Sequence, residues 1–459
     1  MSTQPTLSPS MAALHGSTHL VSSFETPDFA ADTVRVGDLN GDGAPDLLYA
    51  QCIYGQREIS CLTAVTIHGQ KLWQVGTPSA ANGDVYGDLP VQIYDWDNDG
   101  ANEVLYIRQA RYAEPILYDG DKAYLEKRIC ERASRYEGDA TMVVLDSLTG
   151  QEKCTFPLPA PADAGFLFAD LTGRGRREDL VVKDGYWNMW GVSHDGTILW
   201  HWKGSAGHYP AIADVDDDGC DEVFVGYALI DHDGKLLFQK DWDGWGDGVE
   251  DAWGVPVHQD AAFIMQLADG SWRLLFGNGG VHCLAADGTE LWHDPLYEAQ
   301  HVVAGKYRDD SEVQVAVIDR GHPRTPEGKP ADLLLYDIDG REIWRRPQLQ
   351  SGWCAACIDI RWSGVGDLKE ILVYKRGLGS PTAIYDGQGN VVDEIDVPAS
   401  LTADEDPSVP PGYACGRADV WGDGREEVLA LARHGTQIHA NRRPLAIPTL
   451  YNHTLYNGM

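Results

Sequence analysis

Residues 34–50, VRVGDLNGDGAPDLLYA, set an acidic, glycine-containing turn between two short apolar runs. The runs are rich in β-branched and aromatic residues, and the Asn, Asp and Gly between them are turn formers, so the stretch reads as strand, turn, strand. The pattern returns at 93–107 (IYDWDNDGANEVLYI) and 212–226 (IADVDDDGCDEVFVG). Weaker copies stand at 168–182 (FADLTGRGRREDLVV), 358–374 (IDIRWSGVGDLKEILVY) and 417–431 (RADVWGDGREEVLAL). Two degenerate copies lie near Ala262 and Val303.

A second signature alternates with the first. A polar turn precedes a bulky residue in HGQKLW ending at Trp73, HDGTILW at Trp200, HDGKLLF at Phe238, ADGTELW at Trp292 and IDGREIW at Trp344. Poorer versions end near Phe156 and Val391. Each unit thus reads strand, acidic turn, strand, loop, strand, Asp-Gly turn, strand. Anchors at Asp38, Asp95, Asp170, Asp214, Asp269, Lys306, Asp359 and Asp419 mark eight units. Four antiparallel strands repeated radially make an all-β fold, a single β-propeller of eight blades, or seven if a degenerate unit is miscounted. The expected organisation is a flexible terminus over 1–17 and one propeller over 18–459, with an insertion at about 108–140. Within that insertion the run from Lys122 to Gly138 has helical period. The strand that closes the ring is expected from residues about 18–30 or from Pro448 to Tyr456.

The chain has 459 residues, with Lys plus Arg 36 and Asp plus Glu 70, a formal charge of −34. So acidic a surface repels phosphate backbones, so neither nucleic acid nor an anionic membrane is expected as a partner. No apolar run approaches the roughly 20 residues of a membrane helix. The N-terminal stretch lacks a basic segment followed by an apolar core, so a cytoplasmic location is expected, or secretion if a leader has been removed. Nine cysteines without a framework read as free thiols, and Cys354-Ala-Ala-Cys357 as structural. A monomer or weak homo-oligomer is expected.

Three acidic turns have the spacing of a calcium loop. They are Asp38, Asn40, Asp42 and Asp46; Asp95, Asp97, Asp99 and Glu103; and Asp214, Asp216, Asp218 and Glu222. Oxygens at positions 1, 3, 5 and 9 with a carbonyl at 7 can surround Ca²⁺ at about 2.3–2.6 Å. The simpler reading is an Asp-rich turn without an ion. Several structural Ca²⁺ ions are the expectation.

In such a blade the acidic turns gather on one end of the ring, and functional loops on the other. The residues leading into the innermost strands include Asp88, Asp163, His208, His301, Trp353 and Tyr413, and His258-Gln259-Asp260 leads into the fifth unit. Loops after the second strands carry cations in six of the eight units, among them Arg108, Lys183, Arg320, Lys375 and Arg376. A positive mouth on a negative body would suit an anionic oligosaccharide or polysaccharide; solvated loop ends are the plain alternative. No HExxH, P-loop, GxSxG elbow or dinucleotide fingerprint occurs.

The run KDGYWNMW from Lys183, the run GHYPAIADVDDDGCDEVFVGYALIDHDGKLLF from Gly207, HQD at His258, AQH at Ala299 and the closing RADVWGDGREEV resemble β-propeller polysaccharide lyases. The groups that come nearest are the rhamnogalacturonan lyases of family 11 and the L-rhamnose-α-1,4-D-glucuronate lyases. The resemblance implies bound calcium, as in FG-GAP/VCBS-type repeats, and β-elimination at a uronic acid, with exo action expected. That chemistry needs the carboxylate neutralised, a base for the C5 proton and an acid for the departing O4. The candidates are His208, Tyr209, His258, His301 and Lys183 for catalysis. Tyr186, Trp187, Arg320, Trp353, Lys375, Arg376, Tyr413 and Arg108 are candidates for substrate binding. A propeller glycoside hydrolase using two carboxylates, from Asp88, Asp163, Asp184 and Asp260, is the first alternative. A non-catalytic glycan-binding or scaffold propeller is the second.

Overall fold

The computed structural model describes residues 18–53, 58–83, 88–109, 140–162, 165–183, 188–204, 206–240, 259–320, 330–351, 355–375, 382–403 and 413–443. They form eight four-stranded antiparallel sheets. The blades, I to VIII, begin with the innermost strands β2 (Thr33–Gly37), β6 (Val91–Tyr94), β10 (Leu167–Ala169), β14 (Ala211–Ala213), β18 (Ala261–Gln266), β22 (Ala299–Gly305), β26 (Ala355–Ile360) and β30 (Tyr413–Ala418). Seven blades run outward in simple chain order. The eighth borrows its outermost strand: β1 (Thr18–Glu25) pairs with β32 (Gly435–Asn441). The N-terminal strand therefore closes the ring. The tail from Pro448 lies outside the described residues, as do residues 1–17 and the insertion over 110–139 with its expected helix. Among the described residues no helix is long and apolar enough to cross a membrane.

Second strands are continuous apolar runs because both of their faces are covered. β11 (Asp179–Lys183, DLVVK), β23 (Gln314–Asp319, QVAVID) and β31 (Glu427–Ala432, EVLALA) are buried along their whole length. Each core cluster spans two neighbouring blades, as where Leu48, Ala50 and Leu62 of blade I meet Val91, Val104 and Tyr106 of blade II.

The Asp-Gly turns and their bulky residues lock blade to blade. Indole Nε1 of Trp73 donates to the Ser147 carbonyl of blade II at 2.6 Å, and that of Trp200 to His232 of blade IV at 2.7 Å. Trp292 reaches Ile338 at 2.8 Å and Trp344 reaches Gly387 at 3.0 Å in the same way. Phe24 of β1 does the equivalent at the ring closure. It packs on Gly69 of blade I, where a Cβ would lie 2.5 Å from the ring and φ is +80°. Only glycine meets both demands.

The last residue of each acidic turn has a structural duty. Asp46 accepts from Leu39 N at 3.0 Å, Glu103 from Trp96 N at 2.9 Å and Glu222 from Val215 N at 2.5 Å. Asp179, Glu370 and Glu427 do likewise for Leu171, Trp362 and Val420. In blade VI, Gln314 does so for Tyr307 at 2.7 Å. An amide suffices, so the position demands an acceptor rather than a charge. This register also corrects one anchor. Trp362 is the counterpart of Leu39, so the seventh turn starts at Arg361, and Asp359 lies within β26. Asp359 instead receives Lys369 and Arg417.

Candidate active site

The blade meander sends the acidic turns to one end of the ring and the strand-leading segments to the other. At that second end three motifs meet. Gly207 has φ +56°, and a Cβ there would lie 1.8 Å from Gln259 Oε1. The close approach lets His208 N donate to the Gln259 carbonyl at 2.9 Å, and Gln259 Nε2 donate to the Tyr209 carbonyl at 3.0 Å. The segments leading into blades IV and V are thereby stitched together.

Asp260 follows, nearly fully buried. Its Oδ1 stands 3.5 Å from His208 Nε2. Asn278 Nδ2 donates to Asp260 Oδ2 at 3.3 Å, and Gln300 Nε2 donates to Oδ1 at 3.3 Å. Gln300 is the middle residue of the AQH motif, and a bulge between Ala299 and His301 sets its register. The Gly-His-Tyr, His-Gln-Asp and Ala-Gln-His motifs of three successive blades thus converge on one carboxylate. His301 is half-buried on β22, beside Gln300. Burial pushes the nearby Tyr227 phenol up, with the Asp260 charge adding to the effect.

Lys183 ends β11, buried, and its Nζ donates to the Gly207 carbonyl at 2.6 Å. It lines a small open cleft together with Tyr209, Pro210, Phe166 and Asp88. Tyr209 is 40% exposed. Asp88 receives Arg35 Nη2 at 2.6 Å.

Three binding candidates are placed elsewhere or are engaged. Arg320 is buried and forms a two-pronged pair with Glu298, Nη2 to Oε1 at 2.5 Å and Nε to Oε2 at 3.2 Å. Tyr413 buries its hydroxyl between Thr382 N at 3.1 Å and the Ile395 carbonyl at 3.2 Å, and desolvation pushes its phenol up to about 12. It holds blades VII and VIII together. Arg108 pairs at 2.8 Å with Glu152 of the outermost strand of blade II. The described mouth is therefore not simply positive, because Arg35, Lys183 and Arg320 are accompanied by Asp88, Asp260 and Glu298. His258, Tyr186, Trp187, Trp353, Arg376 and the side chain of Lys375 lie outside the described residues. Sequence reasoning places Asp260 only among the carboxylates of the hydrolase alternative and leaves Gln300, Asn278 and Glu298 out of the site. Their signal was position: each leads into, or follows, a strand at the mouth end.

The fold has counterparts among known proteins. The chain is similar in sequence to rhamnogalacturonan lyases. It is 24% identical over 349 residues to the rhamnogalacturonan endolyase YesW of Bacillus subtilis (strain 168), covering 61% of this chain and 54% of the relative. It is 23% identical over 340 residues to the rhamnogalacturonan exolyase YesX of the same organism, covering 60% and 53%. The chain thus spans about half the length of the curated relatives it matches. The crystal structure of exotype YesX superposes with a TM-score of 0.58 at 20% identity, over 93% of this chain and 76% of that one. The YesW structure gives 0.57 at 21% identity, over 92% and 75%. These likenesses are of the fold, whose eight blades are those of this chain's own sheets. No family model matches the chain.

The calcium turns differ among themselves. In the blade IV turn the oxygens of Asp214, Asp216 and Asp218 lie within 4.8 Å of one another. Glu222 Oε1 is buried there with no hydrogen-bond partner, and burial, with Asp216 and Asp218 nearby, pushes the carboxyl up to about 7. An orphaned oxygen beside three carboxylates fits a bound cation. In blade II, Lys153 Nζ already bonds Asp97 Oδ2 and Glu103 Oε1 at 2.8 Å each. In blade I, Asp38 accepts Gly41 N at 2.7 Å and Gly43 N at 2.8 Å, contacts that hold its carboxyl below the usual range against desolvation.

Proposed function

We propose that the protein is a polysaccharide lyase that cleaves a rhamnogalacturonan-type glycan by β-elimination at a uronic acid. The observation that carries this reading is the convergence of His208, Asp260 and Gln300 from three blades beside the cleft lined by Tyr209 and Lys183. Similarity to two rhamnogalacturonan lyases supports the substrate class.

Each step has a group on this face. Ionised Asp260 orients His208 and favours its protonated form, so the imidazole can exchange a proton with the C5 or O4 position. Tyr209 is the exposed partner for the other proton. Lys183 fixes the Gly207 carbonyl and hence the direction of the Gly-His-Tyr segment. Its charge also lowers the energy of a carboxylate in the cleft.

Calcium belongs to this proposal as a structural ion. Asp38, Asn40, Asp42 and Asp46, and Asp214, Asp216, Asp218 and Glu222, would hold it. Bound there, it would offset carboxylate repulsion in turns at the end of the ring opposite the mouth. Asp95, Asp97, Asp99 and Glu103 form the third such turn, with Lys153 as the competing cation.

Incubation with rhamnogalacturonan, followed by ultraviolet absorbance, tests the activity. A lyase creates a C4–C5 double bond and its absorbance. Products that are saturated, with water consumed, would make the protein a hydrolase; unchanged polymer with retained binding would make it a scaffold. Exo cleavage predicts small unsaturated products before any loss of viscosity, and endo cleavage the reverse order.

A further inference from the structure

We propose that Asp218, Cys220 and His232 of blade IV form a binding site for a thiophilic divalent ion of the zinc class. The three side chains come from two turns on the end of the ring opposite the mouth: the acidic turn after β14 and the turn between β16 (Ala228–Ile230) and β17 (Leu236–Gln239). One oxygen, the sulfur and one ring nitrogen lie within 4.8 Å of one another. His232 Nε2 stands 3.5 Å from Asp218 Oδ2.

The hydrogen bonds around the cluster aim these atoms inward. His232 Nδ1 lies 3.1 Å from the Leu171 carbonyl, which can only accept, so Nδ1 carries the hydrogen. In the neutral ring the lone pair is then on Nε2, the atom that faces Asp218. A metal-bound imidazole is held in this way, its second nitrogen donating to a carbonyl. Asp218 Oδ1 accepts Cys220 N at 2.8 Å, which leaves Oδ2 turned toward the histidine. His232 is placed from both sides, since its own carbonyl receives Trp200 Nε1 at 2.7 Å.

The donor set is not that of the calcium turns. Calcium takes oxygens only, whereas sulfur, nitrogen and oxygen together select zinc and its neighbours. Zinc bonds of about 2.0–2.3 Å require the donors to close by roughly an ångström, with water in the fourth position. Cys220 is nearly buried, and its thiol gives up its proton to solvent as the sulfur–metal bond forms. The fold does not require this pair. The acidic turns of blades I and II carry Ala44 and Ala101 in the place of Cys220, and the blade I turn carries Ile67 in the place of His232, while His194 keeps the histidine in blade III.

The test is a Co²⁺ titration of the full chain, run with and without Ca²⁺ because Asp218 also belongs to the calcium turn; the thiolate band distinguishes this site from the all-oxygen turns. One equivalent should produce a cobalt–thiolate charge-transfer band and the visible bands of a tetrahedral centre, both bleached by Zn²⁺. C220S should remove the charge-transfer band. H232N should weaken binding by at least ~10-fold. Circular dichroism and thermal unfolding check that each variant folds, and H232N carries the test alone if C220S does not. Absence of a thiolate band in the unaltered protein, or its survival in both variants, overturns the site. The readout is independent of lyase activity, so it stands or falls separately from the proposed function.

Discussion

The imidazole of His208 and the carboxylate of Asp260 face each other at 3.5 Å, from segments that lead into different blades. The carboxylate is held from behind by Asn278 and Gln300. Substituting His208→Ala should lower the rate of unsaturated-product formation by ~100- to 10,000-fold. Thermal unfolding should stay unchanged, because the ring is partly exposed. Asp260→Asn keeps the shape but removes the charge that favours the imidazolium, so the limb of the pH–rate profile due to His208 should move to lower pH. A profile that does not move would separate Asp260 from the chemistry.

Arg320 and Glu298 form a buried pair, and the two proposals for Arg320 make opposite predictions. As a wall element, Arg320→Gln leaves Glu298 buried without its cation and should cost about 3–5 kcal/mol in urea unfolding. As a substrate-carboxylate binder, the same change would raise KM and leave stability alone. The geometry predicts the first outcome.

Lys153 supplies the cation of the blade II turn. Asp97 and Glu103 hold its ammonium well above the ordinary lysine range. Lys153→Met should therefore add one Ca²⁺ equivalent to the isothermal titration of the protein, or tighten the weakest one. An unchanged isotherm would show that the lysine does not compete.

Stability should depend on pH in the metal-free protein in a definite direction. Burial is the leading cause that raises Glu222 and Glu427 to about 7 and Asp46 to about 6. Folded values above the unfolded ones mean that the native state binds more protons between the two. Stability then falls as pH rises from near 4 toward 7, by at most about 1.4 kcal/mol per pH unit for each group. Ca²⁺ should flatten the part of the slope that Glu222 and Asp46 contribute. Thermal unfolding at several pH values, with chelator and with Ca²⁺, reads both effects.

Trp200 tests the lock between blades. Trp200→Phe keeps a ring against Gly234 but loses the bond to the His232 carbonyl, and should cost about 1 kcal/mol. Trp200→Ala empties the site and should cost about 3–5 kcal/mol. Equal losses in the two variants would mean that the hydrogen bond, rather than packing, joins the blades.

Much of this architecture was legible before any coordinates. The acidic turns and the Asp-Gly-bulky signature report local chemistry: which residues accept φ > 0, which alternate, which end a strand. They gave eight units and their strand order. The anchor at Asp359 fell where the seventh turn carries an extra residue and its acidic cue is an Arg, and that at Asp269 lies two residues past Leu267, where the fifth turn starts. The site was legible in part. His208, Tyr209 and Lys183 stood out by type and position, whereas Asp260 figured only as one of four hydrolase carboxylates, since one acid among seventy carries little signal of what it will face. Arg320 and Tyr413 looked like mouth residues because sequence shows where a side chain starts and not what it meets.

The repeat alone determined that this chain is a ring of four-stranded blades with acidic turns on one end, because turn geometry and strand alternation are set by neighbours in the chain. Only the tertiary structure decided that three motifs roughly fifty residues apart share a single carboxylate, that Lys153 fills a calcium-type turn, and that β1 rather than the tail closes the ring. Those outcomes depend on contacts between distant segments, whose pairing is chosen by burial and charge in the closed ring.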